Sequence, residues 1–199
     1  MYLSIFTDEL GIDITKGLPI LKEWGLEYVD LRGRVFGRAA EALPPERLLE
    51  LLTNEEQFGD ALRLRAYLLP RPEAIGWGCR CVEDVYQQRL PDADRQALEA
   101  AWKWSLDPSE EHRRAAEDAA NRTKLESGAS WVAMATFWSG GSISLPDLPP
   151  VEPDDRLLAK VLIAALLIAG SFAEPGAAPQ RFRNFLALEG IDGSGTTTQ

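Results

Sequence analysis

The feature that most constrains this chain is a long segment, from about residue 53 to residue 180, whose apolar residues recur almost throughout at helical spacing. Turn and cap signals divide it into candidate helices. Asp94 is an expected N-cap, and in the run DPSEE at residues 107–111 Asp107 is expected to cap the next helix. We therefore predict a mainly α fold, with a five- or six-helix bundle over residues 54–174.

Short β/α fragments flank this helical segment. Residues 1–52 read strand, helix, strand, helix, an order that favours a parallel strand pair with a right-handed crossover. Three apolar runs are predicted strands: Leu3–Phe6, Tyr28–Leu31 and Phe185–Leu188. Pairing them into one small parallel sheet would satisfy backbone groups that a lone strand leaves unpaired. The predicted domains are 1–52, 54–174 and 181–199.

Composition and charge indicate a globular chain with an acidic surface. Of 199 residues, 45% are hydrophobic and 26% are charged, as in soluble domains. A net charge of -10 and a pI of about 4.7 argue against nucleic-acid partners and against anionic membranes. The uninterrupted apolar run 161–169 is shorter than the roughly 20 residues that span a bilayer, so a buried core helix is expected there. The opening Met1-Tyr2-Leu3 has no basic region, which predicts a cytoplasmic protein.

Few side chains in the sequence suit catalysis or metal binding. Cys79 and Cys81 have one residue between them, unlike a zinc or redox pair, and are expected to be reduced thiols without metal or disulfide. The single histidine, His112, lies in a charged run typical of a solvated helix face. Ser139-Gly140-Gly141-Ser142 is expected to stop a helix, with an anion nest or a nucleophile as the alternative. No catalytic residue and no metal ligand is assigned.

Two further features leave alternatives open. Six large aromatic residues are expected to fill the core, with a ligand groove as the alternative: Trp77, Trp102, Trp104, Trp131, Phe137 and Trp138. The proline-rich stretch 145–153 has the stiffness of an extended polyproline segment. It either forms a strap that binds a partner or crosses the surface between two helices.

The most specific motif is the glycine-rich run at residues 190–197. It fits the phosphate-loop spacing G-x-x-x-x-G-[KT]-[ST], in which backbone N–H groups converge on phosphate oxygens and a hydroxyl binds Mg²⁺. With the preceding strand, FLALEGIDGSGTTTQ resembles the opening of bacterial thymidylate kinases. The resemblance gives these candidate cofactor-binding residues: Glu189, Gly190, Asp192, Gly193, Ser194, Gly195, Thr196 and Thr197. ATP and Mg²⁺ are expected only if the loop is functional, since the kinase's thymidine pocket and lid would lie beyond Gln199.

The N-terminal segment carries a second resemblance. LSIFTDELGIDITKGLPILKEWGLEYVDLRG, residues 3–33, is similar to the first two β/α units of xylose-isomerase-like sugar-phosphate isomerases and epimerases. In that family, carboxylates and histidines from later strands bind a divalent metal that polarises the sugar. Asp8, Glu9, Asp30 and Arg32 would lie at strand ends. The later metal ligands have no counterpart here, so these residues are expected to be solvated charges.

The middle of the chain carries a third resemblance, over about residues 58–173. RAYLLPRPEAIGWGCRCV, WSLDPSEEHRRAAEDAA and ASWVAMATFWSGGSISLPDLPPVEP resemble an uncharacterised bacterial helical family, which the resemblance associates with type VI secretion. The first functional hypothesis is therefore a non-catalytic cytoplasmic interaction or accessory module with an unidentified protein partner. The alternatives are a nucleotide-binding thymidylate kinase fragment and a sugar-phosphate isomerase fragment. Three resemblances in one chain indicate a mosaic or truncated sequence.

Overall fold

The structure is a computed structural model that describes residues 44–145 and 147–188, together with the backbone of four short strands nearer the N-terminus. Helix dominates the described residues, which confirms the predicted mainly α fold. The chain divides into two units, Met1–Leu51 and Leu52–Gln199. Each unit is considered by itself below.

The strands of the N-terminal unit form two short pairs. β1 (Ser4–Phe6) pairs in parallel with β2 (Tyr28–Asp30), with Ile5 opposite Val29. β3 (Arg34–Val35) pairs in antiparallel fashion with β4 (Arg38–Ala39).

Eight α-helices follow in the described part of the chain. They are α1 (Pro45–Asn54), α2 (Phe58–Leu68), α3 (Arg71–Tyr86), α4 (Asp92–Leu106), α5 (Glu110–Asn121), α6 (Gly128–Phe137), α7 (Leu157–Gly170) and α8 (Ala178–Ala187). Six of these, α2 to α7, lie between residues 54 and 174, as the predicted bundle requires. α4, α5 and α6 pack on one another, α3 packs against α4, α6 and α7, and α2 and α8 pack against each other.

Serine residues form the N-caps of two of the helices. The hydroxyl of Ser109 accepts a hydrogen bond from the backbone N–H of His112 at 3.2 Å, and Ser127 caps α6 in the same way. The predicted caps are therefore wrong, Asp107 by two residues from Ser109 and Asp94 by three residues from Pro91, the N-cap of α4. Asp107 instead ends α4, and α4 starts before Asp94, whose carboxylate accepts a hydrogen bond from the Ser127 hydroxyl. Short polar residues compete for the same cap, so sequence alone places it only approximately.

α3 lies at the centre of the bundle, with neighbours on several sides. Cys79 and Cys81 are both fully buried although residues two apart point to different faces of a helix. Trp77 is fully buried as well, and Trp104 and Phe137 are nearly so. The remaining aromatic residues of the predicted set pack partly buried against this core: Trp102, Trp131 and Trp138. The prediction that the aromatic residues fill the core is confirmed for Trp77, Trp104 and Phe137, whereas the other three pack against the core and are partly exposed.

α7 is the apolar helix predicted to lie in the core, and the structure places it there. Leu158, Leu162 and Leu166 are buried, each burial contributing about 1.5–3 kcal/mol to stability. A Cβ at Gly128 of α6 would lie 2.8 Å from the carbonyl oxygen of Ala165, so the two helices are in close contact at that point. In the described residues no single helix is long and apolar enough to cross a membrane.

The predicted strand Phe185–Leu188 is wrong, because its first three residues form the last turn of α8. Phe185 is fully buried, and the indole Nε1–H of Trp77 donates to its carbonyl at 2.8 Å. The guanidinium of Arg65 donates to the carbonyls of Leu186 and Leu188, which a helix end leaves without partners. A short apolar run is ambiguous between strand and helix until its packing is known. The prediction that Phe185–Leu188 is the third strand of a small parallel sheet is therefore wrong as well.

Candidate functional site

The residues predicted to bind phosphate, Glu189 to Thr197, lie outside the described residues, and so do Asp8, Glu9 and Arg32. Asp30 is the last residue of β2. In the described part of the chain, no three histidine, cysteine or acidic side chains lie together as metal ligands would. The described side chains belong to residues 44–145 and 147–188, and the candidate site is described within that part of the chain.

The two cysteines are free thiols in the core. Burial raises the pKa of Cys79 well above its ordinary value, and burial does the same to the pKa of Cys81. A thiol that stays protonated and is shielded from solvent is neither a nucleophile nor a metal ligand. The sulfur of Cys79 contacts the carbonyl of Leu98 at 3.9 Å, which is consistent with a packing role.

The Ser-Gly-Gly-Ser run ends α6, as predicted. The backbone N–H of Ser139 donates to the carbonyl of Thr136 at 3.1 Å, and Gly141 has a φ of 63°, a conformation that glycine adopts without strain. The Ser139 hydroxyl is buried without a hydrogen-bond partner in the described structure. Because that hydroxyl has no partner, it is not hydrogen-bonded to His112, whose imidazole Nδ1 contacts the carbonyl of Asp107 at 2.9 Å.

A shallow cleft of about 250 Å³ lies between α4 and α5. Its lining mixes charges of both signs with alanines: Gln96, Glu99, Ala100, Lys103, His112, Ala115, Ala119 and Arg122. No aromatic side chain lines it, and ligand pockets are usually larger and more apolar. The cleft is therefore a weaker candidate than the surface described next.

Two consecutive arginines of α5 hold the long loop between α6 and α7. The guanidinium of Arg113 is almost fully buried, and it donates to the carbonyl of Phe137 at 2.6 Å and to that of Ser142 at 2.9 Å. Arg114 donates to the carbonyls of Ser142 at 2.7 Å and Ser144 at 3.0 Å. Both guanidinium groups also lie over the ring of Phe137. We call these two side chains the arginine clamp.

Glu110 holds the arginine clamp in place. Its carboxylate accepts two hydrogen bonds of 2.6 Å from Arg113 and one of 3.1 Å from Arg114. The hydrogen bonds from Arg113 are the main cause that lowers the pKa of Glu110 below its ordinary value. A hydrogen bond to Glu117 raises the pKa of Arg114. The Glu110 carboxylate and the guanidinium groups of the arginine clamp therefore stay charged at neutral pH.

The clamp fixes the start of the segment 142–153, which we call the proline loop. The backbone N–H of Ile143 donates to the carbonyl of Val151 at 2.8 Å, and the hydroxyl of Ser142 accepts from the N–H of Val151 at 3.1 Å. These bonds tie the two ends of the proline loop together. Beyond it, Asp155 accepts a hydrogen bond of 2.9 Å from Arg71 of α3. The loop is therefore ordered by side chains from two helices.

The proline loop exposes large apolar side chains. Leu145 is 66% exposed, Leu148 57% and Val151 52%. Three more of the seven large apolar side chains that are exposed in the described residues lie at the ends of helices: Tyr67 and Leu68 in the last turn of α2 and Leu106 at the end of α4. We call the three exposed apolar side chains of the proline loop, Leu145, Leu148 and Val151, the loop end of the bundle. Leu167 is the seventh, and it lies within α7.

Comparison with known families finds a match that covers most of the helical unit. Residues 48–191 match the family of unknown function DUF6931, and this match covers well over half of the chain. The chain belongs to this family. No curated protein and no solved structure matches the chain. The DUF6931 match runs through the proline loop and through α8, and it lends no support to the kinase and isomerase resemblances.

The role of the arginine clamp was not predicted from the sequence. Arg113 and Arg114 lie three and four residues after Glu110, a spacing that predicts a solvated helix face. Their partners, Phe137, Ser142 and Ser144, are carbonyl groups 24 to 30 residues away. Backbone carbonyls leave no mark on a sequence, so only the structure reveals this role. The proline loop itself was a candidate from the sequence, because its prolines mark it there.

Proposed function

We propose that this chain is a non-catalytic interaction module that binds a protein partner through the proline loop. The observation that carries the proposal is that three large apolar side chains within seven residues of the proline loop, Leu145, Leu148 and Val151, are each more than half exposed. Single exposed leucines are ordinary on a folded protein, whereas a group of them is typical of a binding surface. The alternative, that the loop only crosses the surface, does not account for its three exposed apolar side chains.

The order of the proline loop supports the same proposal. Prolines occupy four of its positions in the sequence: 146, 149, 150 and 153. Proline fixes φ, and the arginine clamp fixes the start of the loop, so little conformational entropy remains to be lost on binding. A preorganised apolar loop binds more tightly than a flexible one with the same contact area.

A site-specific cross-linking experiment tests the proposal. We would place a photo-reactive amino acid at position 148 of the proline loop or, as a matched control, at position 167 of α7. Both leucines are exposed, at 57% and 40% respectively. We expect one discrete adduct from position 148 in the cells that produce the chain, and none from position 167.

The substitution pair Leu145→Ser and Val151→Ser should abolish the adduct from position 148, while a circular dichroism melt verifies that the bundle remains folded. An adduct that survives these substitutions, equal labelling from both positions, or no adduct at position 148 would show that the loop end is not a binding surface.

The finer hypotheses from the sequence make different predictions. An accessory role in secretion predicts that the adduct contains a component of a type VI apparatus. A kinase-like role predicts binding of Mg-ATP that is lost when Gly195 is replaced by a bulky residue. An isomerase-like role predicts metal-dependent epimerisation of a sugar phosphate. Mass spectrometry of the adduct, nucleotide titration and a sugar-phosphate assay distinguish these outcomes from the simple interaction module.

A further inference from the structure

We infer that the segment bound at the loop end is a basic one, with lysine or arginine residues next to large apolar residues. The inference rests on the proposed function and adds the chemistry of the partner. Its basis is the charge of the proline loop and its neighbours, considered together with the apolar side chains they surround.

The chain from residue 142 to residue 155 contains four acidic residues and no basic one. The acidic residues are Asp147, Glu152, Asp154 and Asp155, and all four are exposed. Asp155 pairs with Arg71, and Asp154 accepts a hydrogen bond from the backbone N–H of Arg156 at 2.9 Å. Asp147 and Glu152 have no cationic partner in the described part of the chain, so their charges are available to a ligand.

The exposed side chain of Arg156, the next residue, adds one positive charge beside these four acidic residues, so the segment 142–156 remains net acidic. The other arginines near the proline loop do not offset the remaining charge. Arg113 and Arg114 are held by Glu110 and by backbone carbonyls, and Arg114 also pairs with Glu117. The carboxylate of Glu110 remains 60% exposed and that of Asp107, at the end of α4, 74% exposed. In the sequence Asp147 is next to Leu148 and Glu152 is next to Val151, so negative charge lies beside the apolar residues of the loop.

This charge argues against two other occupants. A second copy of the chain would bring the same acidic loop and a net charge of -10 to the interface, and an anionic lipid surface would also repel it. A segment with cations beside apolar residues complements both properties of the surface. Such complementarity also speeds association and excludes wrong partners.

Short synthetic peptides test the inference by fluorescence anisotropy on the full chain. One peptide carries lysines and arginines between leucines, a second carries glutamates between the same leucines, and a third carries the same cations between serines. We expect the basic apolar peptide to bind about tenfold more tightly than either of the others. We also expect the affinity to fall as the salt concentration rises from about 0.05 M to about 0.5 M.

A matched pair of variants localises the binding. Asp147→Asn with Glu152→Gln should weaken binding of the basic apolar peptide several-fold, because two exposed carboxylates of the loop are lost. Asp118→Asn with Glu126→Gln removes two exposed acidic side chains near the opposite end of α5, and the affinity should stay unchanged. Neither pair alters a described hydrogen bond, so both proteins should fold normally.

The outcomes separate the inference from the proposed function. Equal affinity for the acidic and basic peptides, or no effect of the loop variant, overturns the inference, as does failure of all three peptides to bind. Self-association that Leu148→Ser abolishes, or binding to vesicles of anionic lipid, overturns it in favour of the other occupants. The cross-linking result at position 148 stands apart from these measurements, and its failure alone removes the proposed function.

Discussion

Arg113 is almost fully buried, although a guanidinium is among the groups least often found inside a protein. Its burial is tolerated because a carboxylate and two backbone carbonyls accept its hydrogen bonds. A buried guanidinium whose hydrogen bonds are all made holds its acceptors in fixed positions. Removing the guanidinium leaves those acceptors without a donor. Removal of the Arg113 guanidinium should therefore destabilise mainly the contacts between α5, the end of α6 and the proline loop.

Replacing Arg113 with methionine should lower the free energy of unfolding by about 2 kcal/mol, the usual loss for a buried hydrogen bond to a charged group. Arg95→Met is the control, since Arg95 and Asp92 form an exposed ion pair that should contribute less than about 1 kcal/mol. Urea unfolding of both variants measures the two values. Equal losses would mean that the buried contacts of Arg113 contribute no more than an exposed pair.

At the scale of helices, the packing of α8 makes the end of the described chain part of the bundle. Its Phe185 is fully buried and is linked by its carbonyl to Trp77 of α3, more than 100 residues earlier. A strand of a separate phosphate-binding fragment would not share the unfolding transition of the bundle in this way. The stability of α8 and that of the core should therefore be coupled.

Phe185→Ala should lower the free energy of unfolding of the whole bundle by about 3–5 kcal/mol. Asn184→Ala changes the neighbouring residue, whose exposed side chain bonds only Gln180 in the described structure, and should shift stability by less than about 0.5 kcal/mol. Thermal and urea unfolding would measure both. A Phe185→Ala protein as stable as the Asn184→Ala control would contradict the packing of α8 on the bundle.

The close approach of α6 and α7 gives a second prediction for an element. A methyl group at Gly128 would lie 2.8 Å from a backbone oxygen of α7, so Gly128→Ala should cost about 1–3 kcal/mol by overpacking. At Gly59 of α2 an added Cβ meets nothing within 4 Å, and Gly59→Ala should stabilise by up to about 1 kcal/mol. The midpoint of urea unfolding should move in opposite directions. A shift of the same sign would be inconsistent with the close contact.

Helices could be predicted from the sequence where their signals are local. Periodic apolar residues and turn signals predicted a five- or six-helix bundle over residues 54–174, where the structure has six helices, and they also predicted aromatic residues of the core. The strand at Phe185 was wrong because what makes that segment helical is contact with Trp77 and Arg65, far away in the chain. The proline loop could be predicted as a candidate strap from its composition. Its fixation by the arginine clamp could not, because the partners are backbone carbonyls.

At the scale of the whole molecule, acid should loosen the structure through Glu110. Its pKa is lowered in the folded state from the ordinary value of 4.5, so folding favours the ionised form. The resulting stabilisation is fully present above that ordinary value and is lost as the pH falls through the lowered pKa. Because the Glu110 side chain is 60% exposed, solvent screening keeps the effect modest.

The stability difference between the original chain and Glu110→Gln should therefore shrink as the pH falls from about 6 to about 3. Urea unfolding at several pH values measures that difference. In an Arg113→Met background it should vary less with pH, because the main cause of the lowered pKa is gone. A difference that stays constant with pH in the original background would show that the ion pairs of Glu110 do not stabilise the fold.

The central position of α3 has a consequence for how the chain is made. Its buried faces are covered in part by α7, which begins 71 residues after α3 ends. A ribosome that adds roughly 5–20 residues per second needs about 4–14 s to reach α7 after finishing α3. During that interval Trp77 and its apolar neighbours are emerging on an incomplete bundle, where chaperones that bind apolar segments can reach them. Slow translation of residues 87–156 should therefore lower the yield of folded protein.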